Sequence, residues 1–300
     1  MSRFNIYFAG SRQNNDEHIL KRKANRLYSY ANDQKHIEAF IQAEERGPLL
    51  VDSGAFSVAH SGITVDIDKY IEYINAHPMI ENFIELDLIP YPVLNNNTAR
   101  ESAEVSWKNY LYMIERVNEP FKILPVFHFG EDLKYLRQIL EFEYKGQKIP
   151  FMCIGGRHGV SIKKQEKYFE TVFREIQNSS NPNIKIHVLG MTVLSTLEKF
   201  PFYSADSTTH LQFAIYGAIM TDFGAVNVSA HNNKMNNFRY FTPEEQDKIM
   251  SVVTELGYTM EELSGDTVKR MCYNIDYVLR WADNYTYKGP ISFKNVGGLF

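Results

Sequence analysis

Cysteine is scarce in this chain of 300 residues, which has two, Cys153 and Cys272. Two cysteines this far apart argue against a disulfide framework and a cysteine-rich zinc site, and they favour a reducing cytoplasm. No run of about 18 apolar residues occurs, so we expect no membrane-spanning helix. The N-terminus also lacks the basic start and apolar stretch of a signal peptide, in agreement with a cytoplasmic protein.

An excess of positive charge is also missing, because the formal net charge is -4. A protein of this charge does not coat nucleic acid non-specifically, although a local basic face around one substrate is compatible with it. No Gly-x-Gly-x-x-Gly follows the first predicted strand, and no Gly-x-x-x-x-Gly-Lys-Ser/Thr occurs. These absences argue against a nucleotide cofactor.

What the chain does contain is enough apolar residues for one large α/β core, with 44% hydrophobic and 14% aromatic residues. Strand-like runs alternate with helical patterns. The runs cover 4–9, 49–52, 83–88, 122–129, 150–154, 185–189, 202–206 and 225–228. Eight strands that alternate with helices predict a (β/α)8 TIM barrel rather than an open doubly wound sheet.

We therefore expect a single domain over residues 1–300. Its parts are a barrel over about 4–230, a C-terminal helical part over about 242–282, and a tail over 283–300. Residues 11–32 are polar and are expected to form a long loop with some helix. The C-terminal part is expected to hold two helices around the turn at Gly257.

Acidic residues and glycines follow most of the predicted strands. Because TIM barrels carry their functional residues at the carboxyl ends of the strands, these positions would face one opening. They are Gly10, Asp52, Asp87, His128, Gly155, Gly156, Gly190, Asp206 and Ser229. Carboxylates match the N–H and amino donors of a guanine-like ring, and paired carboxylates also suit glycosyl transfer.

Six ordered motifs resemble those of the tRNA-guanine transglycosylases. They are Asp-Ser-Gly-Ala-Phe at 52–56, Glu-Leu-Asp at 85–87, Pro-Val-Phe-His-Phe-Gly at 125–130, Cys-Ile-Gly-Gly at 153–156, His-Val-Leu-Gly-Met-Thr at 187–192 and Tyr-Ser-Ala-Asp-Ser-Thr at 203–208. Their spelling is most similar to the phage and bacterial relatives that insert 7-deazaguanines into DNA. The resemblance covers 51–210 and implies a pentosyltransferase that replaces guanine in nucleic acid with a 7-deazaguanine; DNA is the favoured polymer, and tRNA is left open.

The same resemblance implies roles for individual residues. Asp206 would be the nucleophile that forms a covalent glycosyl-enzyme, and Asp52 would hold the base and move its proton. Asp87 would accept hydrogen bonds from the ring. Further substrate contacts are expected at Ser53, Gly54, Phe56, His128, Gly155, Gly156, Leu189 and Gly190, and nucleic-acid contacts at Lys234 and Arg239.

The chain departs from the family pattern at two places. His128 stands where the family has Gln, which changes how the carbonyl edge of the base would be recognised. The zinc site of the family, three clustered cysteines and a histidine after the last strand, is missing from the sequence, so we expect neither metal nor cofactor. The expected partners are the nucleic acid and the 7-deazaguanine base. Helper proteins or a homodimer are left open, and a phage-encoded chain would work in the host cytoplasm.

Simpler interpretations apply to the same residues. Asp52 suits a turn that bonds its own backbone, and Asp206 suits a helix cap. Asp87 suits an exposed loop, and His128 suits a satisfied core position. At the level of function, the same carboxylates would serve a TIM-barrel N-glycoside or nucleoside hydrolase. A non-catalytic barrel that binds nucleic acid is the third alternative.

Overall fold

The structure is a computed structural model, which describes residues 4–10, 13–55, 64–90, 98–155, 160–191, 193–229 and 236–285. Three of the predicted site residues, Phe56, Gly156 and Lys234, lie outside the described residues. The predicted tail lies outside them from residue 286 onward.

Thirteen strands occur within the described residues. In chain order they are β1 (Asn5–Phe8), β2 (Asn25–Ser29), β3 (Leu49–Asp52), β4 (Asn82–Ile84), β5 (Ile123–Leu124), β6 (Val126–His128), β7 (Glu143–Tyr144), β8 (Gln147–Lys148), β9 (Phe151–Gly155), β10 (Lys185–Leu189), β11 (Ser204–Ser207), β12 (Ala218–Thr221) and β13 (Gly224–Asn227). Nine of them form one parallel sheet, and the pairs β7–β8 and β12–β13 are separate antiparallel hairpins.

Helices follow the strands around the outside. They are α1 (Gln13–Lys21), α2 (Tyr30–Ile41), α3 (Ile67–Ala76), α4 (Ala99–Ile114), α5 (Leu133–Glu141), α6 (Ile162–Asn178), α7 (Leu194–Lys199), α8 (Thr209–Ile215), α9 (Pro243–Glu255), α10 (Met260–Gly265) and α11 (Thr267–Asn284). None of the helices in the described part of the chain has the length and apolar character needed to cross a bilayer.

The large sheet has the order β5-β4-β3-β2-β1-β11-β10-β9-β6, so its two end strands are consecutive in the chain. Only Pro125 separates β5 from β6, because proline has no N–H to donate to a ladder. The next amide, that of Val126, donates to the carboxyl group of Glu85 at 2.6 Å. The sheet thus curls into a parallel barrel surrounded by helices, and the predicted (β/α)8 TIM-barrel class with C-terminal helices is confirmed.

Two cores follow from the alternation of side chains along each strand. The inner one contains no helix residue and fills the barrel. Its members are Tyr7, Ala9, Leu27, Leu50, Ile84, Leu124, Val126, Phe151 and Cys153. The alternate positions, such as Phe8, Tyr28, Val51 and Ile154, pack outward against the helices in a much larger core. Side chains at the ends of the strands are therefore divided between the barrel opening and the helix layer.

Strand β2 was not expected, because residues 11–32 are polar in sequence. Its Arg26 is fully buried and donates to three oxygen atoms at 2.6–2.7 Å: the carbonyls of Phe8 and Gly10 and the carboxylate of Asp16. Because a charged residue occupies a buried position of this strand, its sequence does not show the alternation of apolar and polar residues that predicts a strand. The prediction of a loop with some helix is therefore wrong for 25–29.

Two other expectations also need correction. Residues 225–228 belong mainly to β13, which pairs antiparallel with β12 outside the barrel, whereas β11 completes the barrel. Eight strands were expected instead of the nine in the sheet because the run 122–129 covers both β5 and β6, β2 was missed, and 225–228 was counted as a barrel strand. The C-terminal part contains three helices, α9 to α11, rather than two; a turn at Gly257, with φ of +82°, separates α9 from α10.

Replacement of Arg26 by Met tests the structural role of the buried guanidinium. We expect the free energy of unfolding to fall by about 3 kcal/mol, because buried carbonyls and a carboxylate lose their donors. Urea denaturation measures the change. The control is Arg100→Met, since Arg100 is exposed in an ion pair with Glu104 and its loss should leave the midpoint unchanged. An Arg26→Met midpoint equal to that of the control would contradict this role.

Candidate functional site

The carboxyl ends of the parallel strands lie at one end of the barrel, which we call the mouth. Five of the predicted site residues occupy strand ends here: Asp52 ends β3, His128 ends β6, Gly155 ends β9, Leu189 ends β10, and Asp206 is the third residue of β11. Asp87 follows three residues after β4, and Gly190 directly follows β10. Residues distant in sequence are thereby brought to one opening.

Helices α3 and α4 fix the strand ends that carry Asp52 and Asp87. The Tyr70 hydroxyl of α3 donates to the carbonyl of Ile84 at 2.9 Å and, at 3.3 Å, to that of Val51. From α4, the hydroxyl of Ser106 accepts from the amide of Leu88 at 2.8 Å. These buried side chains fasten the ends of β3 and β4 to the helix layer.

Asp206 is 7% exposed and is held through one oxygen. Its Oδ1 accepts from the backbone N–H of Gly190 at 3.0 Å and lies 3.1 Å from Nε2 of His187. Helix α8 begins after Asp206, with Thr208 at its N-cap position. The carboxylate therefore does not serve as a helix cap. It is a buried acceptor whose orientation is set by strand β10.

Asp87 and His128 form a buried pair, 7% and 5% exposed, with 2.7 Å between Oδ2 and Nε2. Burial lowers the pKa of His128, but the hydrogen bond and charge of Asp87, with the charges of Glu131 and Asp52, outweigh it and raise that pKa overall. The burial of Asp87 excludes an exposed loop carboxylate. An imidazole that favours its protonated form thus partly neutralises the acidic mouth.

Asp52 has the most perturbed environment of the predicted carboxylates. Burial and then the charge of Asp87 raise the pKa of Asp52 to about 7, and the charge of Asp206 adds to the increase. The N–H of Gly54, which donates to Oδ2 at 3.1 Å, opposes it. The bond to Gly54 is the turn contact that the simpler interpretation predicts, yet the carboxyl also senses both other acids across the mouth. It is poised to gain or lose a proton near neutral pH.

Two of the predicted glycines are required by close approaches. A Cβ on Gly155 would lie 2.3 Å from Nδ1 of His128, so the absence of a side chain makes room for the imidazole. Gly54 has a φ of +97°, and a Cβ there would lie 2.4 Å from Cβ of Ala31. The neighbouring Ser53 is fully buried, and its hydroxyl has no partner among the described residues.

Two residues that the sequence did not place at the site contribute to it. His187 and Ser204 are both fully buried, and their side chains lie 2.8 Å apart next to Asp206. The sequence signal that could have identified them is the alternation of side chains along a strand, in which every second residue points to the same face. Residue 187 shares its face with Leu189, and residue 204 shares its face with Asp206.

The predicted nucleic-acid contact Arg239 lies in a short 3-10 helix, Phe238–Tyr240, and is exposed. Its Nε donates to Oδ1 of Asn237 at 3.0 Å, and its guanidinium carbon lies 5.4 Å from the ring centre of the exposed Tyr240. A cation beside an exposed aromatic ring is a combination that can contact a phosphate and stack on a base.

Among the described residues, no group of three or more His, Cys, Asp or Glu side chains is arranged to hold a metal ion. A cavity of about 270 Å³ lies between the β12–β13 hairpin and helices α9 and α11, with Asp222, Lys248 and Tyr273 in its lining. It contains none of the predicted site residues. The candidate site is therefore the mouth, defined by its side chains.

Two comparisons with known proteins find no match. A scan of protein-family models finds no match for the chain, and neither does a search of curated proteins. The function must therefore be argued from the chemistry of the mouth.

Replacement of Asp52 by Asn tests the raised pKa. Between about pH 4 and 7 the folded carboxyl binds more protons than the unfolded one, so its contribution to stability falls as pH rises through that window. Asp52→Asn should therefore be more stable than wild type at pH 8, by on the order of 2 kcal/mol, and equal to it near pH 4. Urea midpoints across this pH range measure the difference.

Asp247 is exposed on helix α9 and offers a matched control, Asp247→Asn. This change should leave the pH dependence of unfolding as it is in wild type. A gain for Asp52→Asn that is the same at pH 4 and pH 8 would show that its carboxyl does not titrate in this window.

Proposed function

We propose that this protein is a base-exchange transglycosylase that replaces guanine in nucleic acid, preferentially DNA, with a 7-deazaguanine. The observation that carries the proposal is the set of three acids at one mouth, Asp52, Asp87 and Asp206. Their charges interact across the barrel, and one of them has a pKa of about 7. The motif resemblance that includes these acids supports the choice of substrate.

Asp206 suits the role of nucleophile because both of its hydrogen bonds among the described residues go to Oδ1. We assign the attack on C1′ of the nucleotide to Oδ2. The bond between C1′ and Oδ2 forms as the bond between C1′ and the guanine nitrogen breaks, and the base leaves with the electron pair. The incoming base then attacks C1′ and breaks the bond between C1′ and Oδ2. Because each of the two displacements inverts C1′, the configuration at C1′ is retained overall.

Asp52 suits the role of proton carrier because its pKa of about 7 lets both forms exist at neutral pH. The protonated carboxyl gives its proton to the departing guanine as the C1′–N bond breaks. The resulting carboxylate then takes the N–H proton of the 7-deazaguanine as that nitrogen attacks C1′. The proton count closes over one cycle, and no cofactor is required.

Asp87 and His128 suit recognition of the base. The bond to His128 uses Oδ2 of Asp87, and we assign Oδ1 to the N–H and amino donors of the guanine-like ring. His128 replaces the Gln of the family and, because its pKa is raised, adds positive charge beside that carboxylate. We assign contact with the phosphate backbone to Arg239, which is exposed beside Tyr240.

Loss of the Asp206 carboxylate tests the proposal directly. Wild-type protein, incubated with guanine-containing DNA or tRNA, should form a complex that survives a denaturing gel, and it should incorporate labelled guanine into the polymer. Asp206→Asn should reduce both signals by at least about 1000-fold, because the amide is a very weak nucleophile. Mass spectrometry of the nucleosides, after incubation with candidate 7-deazaguanines, identifies the incoming base and the polymer.

The control is again Asp247→Asn, which should keep the wild-type level of adduct. An adduct of Asp206→Asn as abundant as that of wild type would refute the assignment of the nucleophile. Release of guanine without incorporation of labelled base would instead support the hydrolase that the same carboxylates could serve.

A further inference from the structure

Behind Asp206 lies a buried chain of three side chains. The hydroxyl of Ser204 lies 2.8 Å from Nδ1 of His187, and Nε2 of the same ring lies 3.1 Å from Oδ1 of Asp206. Ser204 and His187 are fully buried, and they are direct neighbours in the register of β10 and β11. Both nitrogens of the imidazole are thus engaged inside the barrel.

Aromatic rings isolate this imidazole from other partners. The rings of Tyr7 and Phe151 meet it edge-on, with centroids 5.7 Å and 6.5 Å away. The imidazole is fully buried. Its hydrogen bonding is therefore decided by the hydroxyl on one side and the carboxylate on the other.

The chemistry of the two partners fixes the tautomer. An ionised carboxylate is only an acceptor, so Nε2 must carry the proton that is donated to Asp206. In the tautomer that carries only this proton, Nδ1 is an acceptor, and the hydroxyl of Ser204 can donate a hydrogen bond to it. With the opposite tautomer, a lone pair on Nε2 would face the carboxylate.

We propose that Ser204 and His187 form a positioning relay for the nucleophile, in which the Ser204 hydroxyl holds the imidazole as the Nε2–H tautomer and this tautomer fixes Oδ1 of Asp206. The kinetic part of this inference rests on the proposed function. His187 is a positioning residue, because it acts through Asp206 rather than on the substrate.

The relay transfers no proton during the reaction. As Oδ2 of Asp206 attacks C1′, negative charge leaves the carboxylate, and the donors on Oδ1 keep the side chain in its reactive orientation. When the ester is cleaved by the incoming base, Oδ1 and Oδ2 share the returning electron pair. The N–H groups of His187 and Gly190 then stabilise the carboxylate as a leaving group. Ser204 and His187 end the cycle with the protons that they had at the start.

The first test needs no substrate. Long-range ¹H–¹⁵N spectra of protein labelled with ¹⁵N-histidine report the tautomer of each ring, and the His187 signals are those lost in His187→Gln. We expect a neutral Nε2–H tautomer in wild type and a shift away from it in Ser204→Ala. The control is Ser102→Ala, because the Ser102 hydroxyl is also fully buried but has no partner among the described residues. It should leave the His187 signals unchanged.

The second test measures single-turnover formation of the covalent adduct. Ser204→Ala should slow it about 10-fold and His187→Leu about 100-fold, with little change in the affinity for nucleic acid. His187→Gln should recover part of the rate, because an amide N–H can still donate to Asp206. Thermal unfolding of each variant checks that the fold persists, and Ser204→Ala is the smallest change should His187→Leu fail to fold.

The two tests separate two kinds of failure. An Nδ1–H tautomer or a permanent imidazolium at His187 overturns the relay whatever the activity is. If the tautomer is Nε2–H but Ser204→Ala and His187→Leu form the adduct at the wild-type rate, the two residues have a structural role only. This result also overturns the relay. A correct tautomer in a wild-type protein that forms no adduct refutes the proposed function and, with it, the kinetic role.

Discussion

Mutual repulsion among carboxylates that are buried (Asp87 and Asp206) or half-buried (Asp52) is the constraint that shapes the mouth of this barrel. Asp52, Asp87 and Asp206 converge there, where low polarity strengthens their repulsion. Each carboxylate relieves the repulsion differently. Asp87 pairs with the imidazole of His128, and Asp206 accepts hydrogen bonds from His187 in β10 and from Gly190 directly after it. Asp52 has a raised pKa and tends to hold a proton. The arrangement costs stability, and such costs are typical of functional sites.

The parts of the fold that could be predicted are those governed by local periodicity. Strand β9 is an apolar run closed by glycine, and the acids at or near strand ends were identified because parallel strands end at one side of a barrel. Strand β2 escaped detection because its Arg26 finds all of its partners in other elements. Residues 225–228 of β13 looked like a barrel strand because a short apolar run does not reveal whether its neighbour is parallel or antiparallel.

The predictability of the site shows the same division. The sequence shows which strand ends have an acidic residue, but it does not show how the acids are paired. Asp87 pairs with His128 because Gly155, on the adjacent strand, leaves space for the imidazole. A glycine expected to admit a ligand thus also admits a protein side chain. The sequence did not place His187 at the site for a related reason, since its importance lies in two hydrogen bonds across the barrel interior.

The asymmetry between Asp52 and Asp206 is what makes a two-step transfer chemically reasonable. A nucleophile must stay ionised and oriented, whereas a proton carrier must change its protonation state at the working pH. Two fixed donors, Nε2 of His187 and the N–H of Gly190, meet Oδ1 of Asp206 and orient its carboxylate. At Asp52, burial and the charges of Asp87 and Asp206 favour the neutral form, and the hydrogen bond from the N–H of Gly54 opposes them only in part. Similar side chains in one mouth thereby acquire different roles because the barrel gives them different partners.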